Sequence, residues 1–148
     1  MKHVQTFILA LLLAIVFGVS IGTLTRAQPI IPDPCRVPDI LKLATPLNVS
    51  GTTATELLPV VGSTGIAVCG FTASLAGTTP SLLVRYGTGT ACATSPTNLT
   101  GTILPTSGQM INLENGGVIW RSPAGQALCV TLGGTTPSLQ GVLTYVRQ

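Results

Sequence analysis

Any reaction run by this chain has to be built from very few groups. The only histidine is His3, inside an N-terminal segment that reads as removable, so the remainder holds no imidazole for general-base work or metal binding. Nucleophile systems of the Ser-His and Cys-His kind are excluded by composition. Four carboxylates are left: Asp33, Asp39, Glu56 and Glu114. Asp33 and Asp39 stand in a proline-rich stretch, where solvated surface is the default. A glycoside hydrolase needs a facing carboxyl pair. Glu56 with Glu114 is the one candidate pair in the body of the chain, and nothing in their spacing favours it. Calcium would want several clustered carboxylates, whereas Glu114-Asn115-Gly116-Gly117 reads more simply as a hairpin turn. The expectation is therefore no catalytic residue, no metal and no cofactor, with a glycoside hydrolase on Glu56 or Glu114 as the weakest alternative.

Binding residues are the next possibility. Trp120 is the only tryptophan, and Arg121 follows it. An exposed Trp in a β-sandwich stacks on sugar rings, but a Trp beside Val118 and Ile119 is more often core, because the indole buries a large apolar area. Tyr86 likewise reads first as a core or strand-face residue. Trp120, Tyr86 and Arg121 are the candidate ligand-binding set, with carbohydrate the ligand class they suit best. Asn48-Val49-Ser50 and Asn98-Leu99-Thr100 match the N-glycosylation acceptor pattern, which a Ser- and Thr-rich chain produces easily by chance.

The four cysteines are Cys35, Cys69, Cys92 and Cys129. Their spacing fits no zinc pattern, and an even number in a small exported domain reads as two disulfides. Cys69 and Cys129 lie in apolar strand-like runs. Cys35 lies in a proline-rich arm and Cys92 in a polar loop, and both segments need a staple. Joining the first mobile cysteine, Cys35, to the nearer strand gives Cys35–Cys69 and leaves Cys92–Cys129, the pairing with the shorter loops. The crossed alternative, Cys35–Cys129 with Cys69–Cys92, obeys the same logic.

The elements that must position these residues read as strands. Beyond Pro46 nothing has a helical period. Short β-branched or apolar runs alternate with Gly, Pro, Ser and Asn clusters. Strands are expected over residues 47–49, 56–61, 66–75, 82–86, 99–104, 110–113, 118–121, 127–132 and 141–146. Leu82, Val84 and Tyr86 alternate with Arg85, as Leu139, Gly141, Leu143 and Tyr145 do with Gln140 and Thr144. That is the mark of antiparallel sheets with one wet face. Eight or nine such strands predict an all-β, disulfide-stapled sandwich, jelly-roll-like or immunoglobulin-like. The run Gly77-Thr78-Thr79-Pro80-Ser81-Leu82 recurs as Gly134-Thr135-Thr136-Pro137-Ser138-Leu139. A reused turn is the simpler explanation, and a duplicated hairpin is the other.

Three runs, taken together, carry a resemblance. Val68-Cys69-Gly70-Phe71, then Arg85 through Cys92 with its Tyr-Gly-Thr-Gly-Thr-Ala-Cys, then Ser122 through Cys129 with its Pro-Ala-Gly-Gln-Ala-Leu-Cys, resemble a group of small β-rich proteins of bacterial, phage and environmental origin. The C-terminal run Gln140 to Val146 is similar to theirs as well. The resemblance implies an exported or virion-associated β-domain and brings no catalytic residues with it.

At the N-terminus, Met1-Lys2-His3 precedes an apolar run over residues 7–19, and Thr25-Arg26-Ala27 closes it, the layout of a secretory signal cleaved after Ala27. The alternative is an uncleaved anchor over residues 4–24, close to the ~20 residues a bilayer span needs. The organisation expected is a signal peptide over 1–27, a proline-rich arm over 28–46 and a β-sandwich over 47–148, secreted or otherwise outside the cytoplasm. Charged residues make up 7% of the chain, against the usual ~25%. Arg36, Lys42, Arg85, Arg121 and Arg147 nearly balance the four carboxylates, so no basic patch exists to neutralise phosphates and nucleic acid is not an expected partner. Low charge weakens the usual defence against self-association. The composition favours a structural or adhesive surface module, with self-association or a cell-surface or carbohydrate partner. A soluble ligand-binding module is the rival, and contact with a membrane is expected only through an uncleaved N-terminal segment.

Overall fold

The structure is a computed structural model that describes residues 32–148. The expected signal over 1–27 and the first part of the arm lie outside the described residues. The domain is all-β, with strands β1 (Leu43–Ser50), β2 (Thr55–Leu58), β3 (Ile66–Thr88), β4 (Thr94–Asn98), β5 (Gln109–Leu113), β6 (Trp120–Ser122) and β7 (Ala127–Arg147). The arm is shorter than expected, because the strand pattern already starts at Leu43.

The nine expected strands are seven: the run expected over 99–104 makes only an isolated bridge, Leu82 to Ile103, with β4 lying ahead of it, and the lower number comes from the repeated motif. Neither copy of Gly-Thr-Thr-Pro-Ser is a hairpin turn. Each is a bulge inside one continuous strand, so the runs 66–75 and 82–86 merge into β3, and 127–132 and 141–146 merge into β7. The two bulges face each other, with register shifts between Ala76 and Ser81 opposite residues 133–138. Their backbones match. Gly77 and Gly134 have φ of 134° and 100°, and Thr79 and Thr136 have φ of 48° and 49°. Pro80 and Pro137 are both buried. A proline that lacks an N–H is tolerated where the ladder is already interrupted.

β3 and β7 thus form one long antiparallel ribbon kinked at its middle. Other strands line both sides of each arm of the ribbon. On one arm β1 pairs with the last part of β7, and β5 with the first part of β3. On the other, β2 pairs with the first part of β7 and β4 with the last part of β3. β6 continues the β5 edge against Ile66–Val68. Inward residues of both arrays, among them Val49, Phe71, Leu75, Leu82, Val84, Leu128, Leu132, Leu139 and Leu143, make one buried cluster. The result is a sandwich-like domain with a shared core. Burial of these side chains, each worth about 1.5–3 kcal/mol, is the main force holding the kinked ribbon closed.

The disulfides join Cys35 to Cys69 and Cys92 to Cys129, with Cα atoms 5.3 and 6.1 Å apart. They form the arm-to-strand and loop-to-strand staples expected from the placement of the cysteines. Cys92 ends a 3-10 turn, Thr90–Cys92, and with Cys129 and Ala127 makes a small second cluster.

Candidate functional site

The most distinctive surface is the outer face of the array β1–β7–β3–β5. In β1, Leu47 and Val49 point inward, which leaves Pro46 and Asn48 outside. In β5, buried Ile111 leaves Met110 and Asn112 outside. Between them β3 contributes Thr72 and Ser74, and β7 contributes Gln140 and Val142. The register sets these in rows: Asn112 beside Thr72 beside Val142 beside Pro46, and Met110 beside Ser74 beside Gln140 beside Asn48. The Thr72 hydroxyl donates to Asn112 Oδ1 at 3.2 Å and lies 3.4 Å from Glu114 Oε1. No charged side chain stands in either row. Met110 is 61% exposed and Val142 41%.

At one end of this face the N-terminal arm crosses the β5–β6 loop and leaves a cleft of about 210 Å³, lined by Cys35, Lys42, Cys69, Gly70, Glu114 and Thr144 among others. The arm is held by more than its disulfide. Asp33 accepts from the N–H of Cys35 at 2.9 Å and from that of Val118 at 3.2 Å, and lies 3.6 Å from Arg36. Arg36 donates to the Gly116 carbonyl at 3.2 Å. Asp33 is therefore a structural clasp and not the solvated charge expected of a proline-rich arm. A side chain at Gly117 would meet Asp33 Oδ2 at 2.6 Å, so that glycine is fixed by the close approach of the arm. The clasp was invisible in the sequence, because Asp33 and Val118 are remote along the chain.

The ligand-binding candidates are not brought together. Trp120 is only 9% exposed and packs edge-on against Phe71, with ring centroids 5.3 Å apart. It belongs to the core and has no free face for a sugar, which corrects its place among the binding candidates. Tyr86 is half-buried on β3 opposite Leu128 and Thr97, and Arg121 is exposed on β6 opposite Ala67. Tyr145 is a core residue whose ring lies under Arg147 at 5.6 Å. Glu56 and Glu114 do not face each other: Glu56 stands on β2 against the first part of β7, and Glu114 follows β5 on the other array. Among the described residues no three His, Cys, Asp or Glu side chains gather as a metal site, and no helix is long and apolar enough to cross a membrane. Asn48 and Asn98 are both exposed. Asn48 lies on the edge strand of the flat face, at the end of one row, and Thr100 of the second acceptor pattern already takes a hydrogen bond from the Val84 N–H at 3.1 Å.

The fold and the stapling define a class: a small all-β domain, closed by two disulfides, of the kind stable in oxidising compartments outside the cytoplasm. The chain matches no protein-family model, and no curated protein or solved structure is significantly similar to it.

Proposed function

We propose that this is a non-catalytic structural or adhesive module, secreted or displayed at a surface, and that it works through the flat face of β1–β7–β3–β5. The observation that carries this reading is the composition of that face: rows of Thr, Ser, Asn and Gln with exposed Met110, Val142 and Pro46, no charge within the rows, and the single carboxylate of Glu114 beside Thr72 at their end. Such rows carry no charge to desolvate, and their hydroxyls and amides can exchange water for hydrogen bonds across an interface, which suits a broad, neutral protein partner. It offers no aromatic ring, which favours a protein partner over a carbohydrate. The disulfides fit the same setting.

Lysine at position 110 or 142 tests it. Met110→Lys and Val142→Lys place a charge on the face, while Val60→Lys and Leu104→Lys do so at exposed apolar positions away from it. Retention of the exported protein at its surface of origin should fall at least tenfold for the first pair and stay unchanged for the second. Equal retention in all four variants would refute the assignment. So would a substrate turnover abolished by Glu56→Gln together with Glu114→Gln in a folded protein.

A further inference from the structure

The repeated motif marks a symmetry that runs through the whole domain. Laying one copy of Gly-Thr-Thr-Pro-Ser-Leu on the other turns the pair Leu75↔Leu139 into the pair Leu132↔Leu82, and both pairs exist. β3 and β7 are thus related by a two-fold axis through the kink. The relation extends outward. Phe71↔Leu143 on one arm of the ribbon likewise becomes Leu128↔Tyr86 on the other. β5 pairs with the first part of β3 as β2 does with the first part of β7, and β4 pairs with the last part of β3 as β1 does with the last part of β7.

Two patterns of connection then oppose each other. Every strand pairing in the described domain joins one of β1, β2 and β3 to one of β4, β5, β6 and β7. Neither half pairs any of its strands with another of its own. Both disulfides do the reverse: Cys35–Cys69 lies within the first half and Cys92–Cys129 within the second. What ties the halves covalently is the backbone between Thr88 and Thr94. That connection is tight, and Gly89, Ala91 and Cys92 all have positive φ, of 72°, 50° and 57°. The left-handed region is unfavourable for Ala and Cys, and a short strained connection is the type that favours exchange between copies.

We propose that this chain binds a second copy of itself by exchanging halves. β1, β2 and β3 of each copy complete the sheet of β4, β5, β6 and β7 of the other, giving two lobes, each identical to the described domain. No new surface is required, since the interface between lobe halves is the sheet itself. No disulfide has to open. The connection straightens between lobes, which releases Ala91 from its left-handed conformation. The proposal stands on the strand pairings alone and is independent of the flat face.

The full chain with Gly89, Thr90, Ala91 and Ala93 deleted provides the test, because only Cys92 is then left between the paired Thr88 and Thr94, too short a connection for a hairpin to turn back within one copy. After refolding from denaturant with the disulfides intact, it should run at twice the monomer mass in size-exclusion chromatography with light scattering. Refolding light and isotope-labelled chains together should give mixed dimers in native mass spectrometry. A folded, monomeric deletion variant, judged by the emission of Trp120, would overturn the proposal. Should that variant fail to fold, the unaltered chain decides: refolded at high concentration it should yield a dimer fraction that grows with concentration and contains mixed-label pairs. A protease site inserted after Gly89 checks the geometry. Cutting an exchanged dimer releases lobes of monomer mass, whereas a dimer that keeps its doubled mass after cutting would refute exchange.

Discussion

Replacing Gly134 by alanine measures how much the central kink matters. Gly134 has a φ of 100°, and a methyl group there would lie 2.6 Å from both the Thr78 and Thr79 carbonyl oxygens. Two costs follow. An L residue at such a φ costs about 1–2 kcal/mol, and forcing extra volume between close-packed strands costs about 1–3 kcal/mol more. The sum, about 2–5 kcal/mol, is a large part of the ~5–15 kcal/mol that stabilises a domain. Gly125 separates the two costs. Its φ is 72°, but a methyl group there meets nothing within 4 Å, so Gly125→Ala carries only the backbone cost of about 1–2 kcal/mol. For a domain of this size 1 kcal/mol moves the Tm by about 4 °C. Thermal unfolding followed by circular dichroism should therefore show a loss of about 4–8 °C for Gly125→Ala and about 8–20 °C for Gly134→Ala. Gly77→Ala should fall between them, since the nearest atoms there are 3.0 Å away. Equal losses for Gly125→Ala and Gly134→Ala would refute the reasoning, because the close approach of the two bulges would then count for nothing.

Two further outcomes follow from the structure. Trp120, buried against Phe71, should emit at short wavelength and resist quenching by acrylamide, and Trp120→Ala should cost about 3–5 kcal/mol in denaturant titration; a water-exposed emission spectrum in the folded protein would contradict its placement. Gly51 N–H bonds the Pro137 carbonyl in the β1–β7 register, which by alternation turns the missing N–H of Pro46 to the free edge of β1. Pro46→Thr restores a donor there and should raise self-association in dynamic light scattering, whereas an unchanged particle size would show that this edge needs no protection.

Much of the fold was legible because it rests on local signals. The alternation of Leu82 and Val84, and of Leu139, Leu143 and Tyr145, marked strands with one buried face, and these residues are buried. The contrast between cysteines in apolar runs and cysteines in polar segments left two connectivities, and the shorter loops pointed to the one found. The kink was misread because Gly and Pro ordinarily punctuate chains, and at Pro80 and Pro137 they bend a strand instead of ending it. Most pairing partners were out of reach for another reason: apart from the β3–β4 hairpin, partners are remote along the chain, so no local pattern encodes them. The flat face became visible only with the register, which sets Thr72 between Asn112 and Val142. Trp120 could be read either way from its neighbours, and only its contact with Phe71 decides it.

The position of β7 has a consequence for how the protein is made. It is the last strand along the chain, yet it pairs with β1, β2 and β3. While residues 32–126 are emerging, the Cys35–Cys69 bond can close, but one side of β3 stays bare and β1 and β2 have no partner. Contacts of such long sequence separation form late and slowly, and unpaired strands are prone to aggregate in the meantime. The chain therefore cannot complete its sheet or close its core until β7 is free. That order suits a polypeptide threaded through a narrow channel before it acquires its shape.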